Sequence, residues 1–159
     1  MYRYTAIGMA TNYYFTEYMR TILIIDDDPE DRFLLEIAFS ENTIANPLVF
    51  LKDGIELMQY IDTQMDTNIP AFILMDLNMP RMNGKQALQW IKSDSRLRCI
   101  PVLIYSTSDN ALEVGECYQL GANGYIVKPS EYDALVALVS YLYTFWVQMA
   151  LLPVALSKK

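Results

Sequence analysis

An α/β fold, a doubly wound five-stranded parallel sheet with helices on both faces, is the architecture this sequence predicts. Three observations carry it. Short apolar runs alternate with stretches of helical spacing, five times over. Each run has about five residues or fewer and is rich in Ile, Val, Leu and aromatics, which suits buried parallel strands better than helices. The chain has 159 residues, 53% of them hydrophobic, enough for one packed domain.

The elements follow in order. Residues 1–19 stand outside the rhythm: they hold five tyrosines and few charges, with no signal-peptide pattern. They are expected to form a poorly ordered extension or a helix packed on the outside. The first strand is expected over Thr21–Ile25, then a helix with Phe33, Leu34, Ile37 and Ala38 on its apolar stripe. Pro47–Leu51 is the second strand, and Ile55, Met58 and Ile61 mark the next helix. Ala71–Met75 precedes a helix marked by Ala87, Leu88 and Ile91. Val102–Tyr105 precedes a helix over Leu112–Leu120. Tyr125–Val127 precedes a final helix from Glu131 to about Leu152. The domain is therefore expected over residues 20–152, with 153–159 as a tail.

No charged residue occurs between Ala134 and Ser157, a run that hydropathy alone would read as a membrane span. Ser140, Tyr141, Tyr143, Thr144, Gln148 and Pro153 argue against that, and the alternation requires a fifth helix there. No span is expected.

Composition excludes several classes. The formal net charge is −7 and the pI near 4.5, so binding to phosphate backbones is disfavoured and proteins, cations or small ligands are the expected partners. Histidine is absent, which removes Ser-His-Asp, Cys-His and histidine-ligated metal chemistry. Any metal would be held by oxygen, as a hard cation such as Mg²⁺ is. Cys99 and Cys117 lie far apart and outside any C-x-x-C pattern, as expected of reduced cytosolic thiols.

In doubly wound sheets, ligands bind beyond the carboxyl ends of the strands, where strand order reverses. For the order 2-1-3-4-5 that point lies between strands 1 and 3. Strand 1 ends in Asp26, Asp27 and Asp28, and strand 3 in Asp76. Asp28 is explained as the cap of a helix starting near Pro29. Asp26 and Asp27 facing Asp76 are not, since such pairs repel by about 1–4 kcal/mol each in partly solvated surroundings. A Mg²⁺ ion would remove the conflict, with waters and a backbone carbonyl, for which Asn78 is well spaced, completing its shell. Pro80 and Gly84 would hold the irregular loop. Strand 4 brings Ser106 and Thr107 to the same rim, and strand 5 brings Lys128. Alone, Ser106 reads as a helix cap and Lys128 as a solvated lysine. Their joint arrival argues for a site.

The motifs "IIDDD", "LMDLNMPRMNG", "IYSTS" and "GYIVKPS" together resemble the receiver domain of two-component response regulators, over about Arg20 to Thr144. The runs "DLNMPRMNGKQAL" and "IPVLIYSTS" further resemble single-domain regulators paired with phytochrome-type histidine kinases. The resemblance implies a flavodoxin-like fold, Asp76 as phosphoacceptor, and Asp26, Asp27 and the Asn78 carbonyl as holders of Mg²⁺. It implies Ser106 as the hydroxyl that moves toward the phosphoryl group and Lys128 as the lysine that pairs with it. It also implies a cis bond before Pro129 and Tyr125 as the aromatic switch. A cytoplasmic protein that takes its phosphoryl group from a histidine kinase or phosphotransfer protein is expected. Two features depart from the pattern: Thr107 stands where a smaller residue is common, and the final helix is unusually apolar.

Two rival readings are disfavoured by particular residues. A phosphatase of the haloacid dehalogenase type also uses a strand-end aspartate, but needs D-x-D, and Asn78 stands at the second position, where an amide cannot cycle a proton. A degenerate receiver acting only as an interaction module would lack one of the motif residues, and none is missing. The final helix is expected to turn Leu135, Val139, Leu142 and Trp146 to the sheet. Val136, Tyr141, Phe145 and Met149, with parts of Leu138 and Leu152, are left outward. A homodimer through that face is the expected consequence, with covering by residues 1–19 as the alternative.

Overall fold

The computed structural model describes residues 19–64 and 69–153; the extension lies outside these, apart from its last residue, as does most of the tail. Five parallel strands, β1 Ile22–Ile25, β2 Leu48–Leu51, β3 Phe72–Met75, β4 Val102–Ser106 and β5 Gly124–Val127, form one sheet of order β2-β1-β3-β4-β5. Between and after them come α1 Pro29–Glu41, α2 Gly54–Gln64, α3 Gly84–Ser93, α4 Ala111–Gln119 and α5 Tyr132–Tyr143. A π-helical stretch, Thr144–Met149, continues α5. The expected fold and strand positions hold to within about a residue.

Each strand alternates between two cores. Leu23, Ile25, Ile73, Met75, Val102 and Ile104 meet Leu57 and Ile61 of α2, Ala87, Leu88 and Ile91 of α3, and Cys117 of α4. Ile22, Ile24, Phe72, Leu74, Leu103 and Tyr105 meet Leu35, Ala38 and Phe39 of α1 and Leu135, Val139 and Leu142 of α5. Both faces are dry, which is why β1, β3 and β4 read as unbroken apolar runs. The edge strand β2 is only half-buried.

Helix phase departs from expectation in α1 and α2. Phe33 and Leu34 are exposed, and Leu35, Ala38 and Phe39 form the buried face of α1. That helix is apolar on so many positions that spacing admits more than one phase; packing against the sheet selects Leu35, Ala38 and Phe39, while the Asp28 side chain, accepting from the Glu30 N–H with Pro29 in the first turn, sets where the helix starts. Leu57, rather than Ile55 or Met58, enters the core with Ile61. In α4, Leu112 is exposed and Cys117 is buried.

The final helix differs most. After Leu142 the backbone widens to π geometry, and the next buried residue is Val147, five positions on. Trp146, expected in the core, is left half-buried. The Ala150 N–H closes the turn on the Phe145 carbonyl at 2.8 Å, and the helix ends at Met149 rather than Leu152. The chain then folds back, and Arg20 Nη1 donates to the Pro153 carbonyl at 2.8 Å. No helix among the described residues is long and apolar enough to cross a membrane. The Lys128–Pro129 bond is trans, as are all described peptide bonds, against the cis bond that the resemblance implied.

Gly84 opens α3 beneath the end of β3. A Cβ there would press into the Asp76 carbonyl oxygen and lie 2.7 Å from Leu77 Cα. Backbone on both sides cannot give way cheaply. Gly84→Ala should therefore lower stability by about 1–3 kcal/mol, read from urea unfolding. A change within about 0.5 kcal/mol, the scatter of surface substitutions, would mean that the loop is looser than its packing implies.

Candidate functional site

Register brings the site together. Ile25 pairs with Met75 and Met75 with Ile104, so Asp26 and Asp76 leave adjacent strands at one level. The Asp76 N–H donates to the Ile25 carbonyl at 2.9 Å. Ser106 pairs with Val127, and the Lys128 N–H donates to the Ser106 carbonyl at 2.8 Å. Asp26, Asp76, Ser106 and Lys128 thus leave their strands at one rim.

At the centre is Lys128, its side chain 9% exposed. Its ammonium donates to Asp26 Oδ2 and Asp31 Oδ2, each at 2.7 Å, and reaches Asp76 Oδ2 at 3.4 Å. The face of Tyr105 lies 5.2 Å away, within cation–π range. A solvated lysine is therefore not what this residue is. Burial alone would lower its pKa, but the hydrogen bonds it donates to Asp26 and Asp31 outweigh that and hold it above the ordinary lysine value. Burial raises the pKa of Asp26, and the bonds from Lys128 and the Asp28 N–H offset only part of the rise. Tyr105 is pushed up to about 12, chiefly by burial.

Asp76 is buried, and its Oδ1 accepts the Leu77 N–H at 2.7 Å. Asp26 is buried too, its Oδ1 bound to the Asp28 N–H at 2.9 Å, while Asp27 is exposed. Carboxylate oxygens of Asp26, Asp27 and Asp76 lie within 4.8 Å of one another. Asp26, Asp31 and Asp76 share the one ammonium, and Asp27 adds a further carboxylate beside Asp26 and Asp76. The donor set is all oxygen and the uncompensated charge negative, so the residues fit a hard divalent cation. Asn78 sits exposed at the rim, its N–H a long 3.4 Å from Asp76 Oδ1.

Ser106 is fully buried, and its Oγ accepts the Ser108 N–H at a long 3.3 Å. It does not cap α4; Asn110 does. Thr107 is exposed beside it. Tyr125 is half-buried, its hydroxyl donating to the Ser108 carbonyl at 2.9 Å and lying 3.5 Å from Glu113 Oε2. Glu113 also faces Lys85 of α3 at 3.5 Å, and Lys85 reaches Glu116 at 2.7 Å. The aromatic side chain is thereby linked to both α3 and α4.

Sequence reasoning missed Asp31, Arg32 and Tyr105. Arg32 Nη1 donates to the Asp26 carbonyl at 2.6 Å. Asp31 and Arg32 occupy the first turn of α1, which the Asp28 cap aims at the rim. Given that cap, the helical repeat was the available signal.

The family model described as the response regulator receiver domain matches residues 22–140. Response regulator Rcp1 of Synechocystis sp. is 32% identical over 139 residues, 86% of this chain and 95% of that protein. The structure of the phosphorylated cyanobacterial phytochrome response regulator RcpA aligns with a TM-score of 0.78 at 33% identity, covering 85% of this chain and 99% of that one. The Mn²⁺-bound form of Rcp1 aligns with a TM-score of 0.76 at 31% identity, with the same coverage.

Lys128→Met should cost about 3 kcal/mol at neutral pH, because Asp26 and Asp76 lose their buried partner. The linkage has a definite sign. The folded-state pKa of Lys128 is raised, so its stabilisation is complete below the ordinary value of 10.5 and fades as pH climbs past it. Urea unfolding of both proteins should show their gap narrowing above that pH; a gap that widens there contradicts the pairing.

Proposed function

The chain belongs to the response regulator receiver domain family, and on that premise we propose Asp76 as its phosphoacceptor, Mg²⁺ as its cation and a protein partner as its output. As a response regulator it acts in two-component signal transduction. The observation that carries the residue assignment is the Lys128 ammonium shared by Asp26, Asp31 and Asp76 at the carboxyl rim.

The chemistry is a transfer. A carboxylate oxygen of Asp76 attacks phosphorus in line, the bond to the donor breaks, and an acyl phosphate remains. A phosphohistidine on a kinase or phosphotransfer protein, or a small acyl phosphate, serves as donor. Positioning and charge dominate such reactions. Leu77 orients the carboxylate through its N–H. Lys128 moves a donor from Asp76 to a phosphoryl oxygen. Asp26, Asp27, Asp76 and the Asn78 carbonyl would hold Mg²⁺, which when bound supplies charge neutralisation at the phosphoryl oxygens. Ser106 then turns its hydroxyl to that group and gives up the Ser108 N–H. Ser108 also receives the Tyr125 hydroxyl, so the change passes to β5 and α4. The complete set of Asp26, Asp27, Asp76, Ser106 and Lys128 favours this reading over that of an unphosphorylated interaction module. The family assignment displaces the phosphatase reading.

The unit that does this is residues 20–152, acting in the cytoplasm. Its phosphodonor is a phytochrome-type histidine kinase, a reading supported by the likeness to RcpA. The protein is a homodimer through the final helix. Tyr141, Phe145 and Met149 recur every four residues and are 73%, 51% and 69% exposed. Val136 and Leu138, expected outward, are half-buried against the core and leave this narrower stripe. At about 25 cal/mol per Å², pairing two such stripes yields a gain comparable to the ~4–15 kcal/mol cost of association.

Acetyl phosphate with Mg²⁺ should add one phosphoryl group by mass spectrometry, and Asp76→Asn should abolish it. Ser106→Ala should accept the group but lose most of the spectral change. Modification of Asp76→Asn at the wild-type rate would sink the assignment. In sedimentation, the wild type should be dimeric at micromolar concentration and Phe145→Asp monomeric. A monomeric wild type together with a chain starting at Tyr18 that associates would favour covering by the extension instead.

A further inference from the structure

The loop between β3 and α3 carries Asn78, and its path is held at its ends by backbone. The Asp76 N–H is tied to β1, and the Gly84 N–H donates to the Leu77 carbonyl at 2.9 Å. The crown of the loop, Pro80 to Asn83, is anchored differently. Arg81 has φ of 61°, a left-handed conformation that glycine enters freely and a side chain enters at a cost. An arginine kept there calls for a reason, and its side chain supplies one.

That side chain leaves the loop and reaches the start of α2. Its Nε donates to Asp53 Oδ2 at 2.6 Å, and a second guanidinium nitrogen lies against the same oxygen. Asp53 is 1% exposed, and its Oδ1 accepts the N–H groups of Ile55 and Glu56 at 2.9 and 3.0 Å. One oxygen therefore fixes the helix and the other fixes the loop. Met82 completes the contact. Its carbonyl faces the Gly54 N–H at 3.4 Å, and its side chain lies so close that a Cβ on Gly54 would meet its Cγ at 2.6 Å. Asp53 lies two residues past β2, whereas Asp26 and Asp76 directly follow β1 and β3, and it faces an arginine rather than the acidic rim.

We infer that Arg81 and Asp53 are positioning residues for the cation site, a clasp that seats the loop crown on α2 and so presets the Asn78 backbone. The inference rests on the proposed cation site and adds two residues that touch neither cation nor phosphoryl group. Without the clasp the loop samples other paths, and binding must order it first. Cation affinity then falls, while the rate at saturating cation is kept. Charge alone predicts the reverse for loss of Arg81, because an unpaired Asp53 makes the rim more negative and should draw cations more strongly.

Arg81→Gly separates the two, since it accepts the left-handed backbone and removes the guanidinium, and Arg81→Asn, which also tolerates that backbone, should behave alike and controls for the added freedom of glycine. Asp53→Asn keeps an oxygen for the helix N–H groups and removes the charge. Calorimetric titration of the full chain with Mg²⁺, without phosphodonor, should show about a tenfold weaker Kd for either variant, the usual effect of losing a group that orients a ligand. The double variant should be no weaker than the singles. Acetyl phosphate modification at saturating Mg²⁺ should stay within about twofold of wild type. Equal or tighter Mg²⁺ binding by Arg81→Gly, or additive losses in the double variant, overturns the clasp while leaving the cation site standing. A wild type that binds no Mg²⁺ overturns both.

Discussion

The rim is organised around one ammonium shared among three carboxylates. Lys128 approaches Asp26, Asp31 and Asp76 from a strand that neighbours neither β1 nor β3. Taking such charges out of water costs several kcal/mol per ion unless partners and hydrogen bonds meet them. Here they are met, and no described buried side-chain polar atom lacks a partner. Positive charge still falls short of negative. That imbalance holds the lysine protonated, while burial raises the Asp26 pKa, and it leaves a place for further positive charge or for exchange of lysine partners.

The sheet makes this arrangement affordable by being dry on both faces. β1, β3 and β4 are wholly buried, so their register admits little slippage, and the residues following them are fixed in height. The loops above are then secured by small local devices. Gly84 lets α3 start against the Asp76 backbone. Asn83 and Gln86 exchange hydrogen bonds at the head of that helix. Asn110 caps α4, freeing Ser106 from that duty. The strands are thus closely packed, while Ser106, Ser108 and Tyr125 are joined by two hydrogen bonds, of 3.3 and 2.9 Å.

The final helix shows packing overriding periodicity. A strict 3.6-residue repeat would carry Trp146 into the core. Widening to π geometry spends one extra residue, seats the smaller Val147 instead, and leaves Phe145 exposed with Trp146 edge-on against it at 4.9 Å. The apolar stripe on the outside is therefore partly a product of that local change in winding.

The sequence by itself determined the strands and the chemistry of the rim. Runs such as "ILII" and "FILM" can be buried on both sides in few other ways, and each ends on a residue whose type announces charge. Asp26, Asp76, Ser106 and Lys128 were legible because strand order converts strand ends into neighbours. Tertiary structure decided which side of each helix is buried. Apolar residues cover more than one face of α1, so Leu35 and Phe39 displace Phe33 and Leu34 once the helix packs on the sheet. It also decided the pairs Asp31–Lys128, 97 residues apart, and Asp53–Arg81, 28 apart. Such contacts depend on the rotation of a helix and the path of a loop, which no local period encodes, because both are settled by what the rest of the chain packs against them.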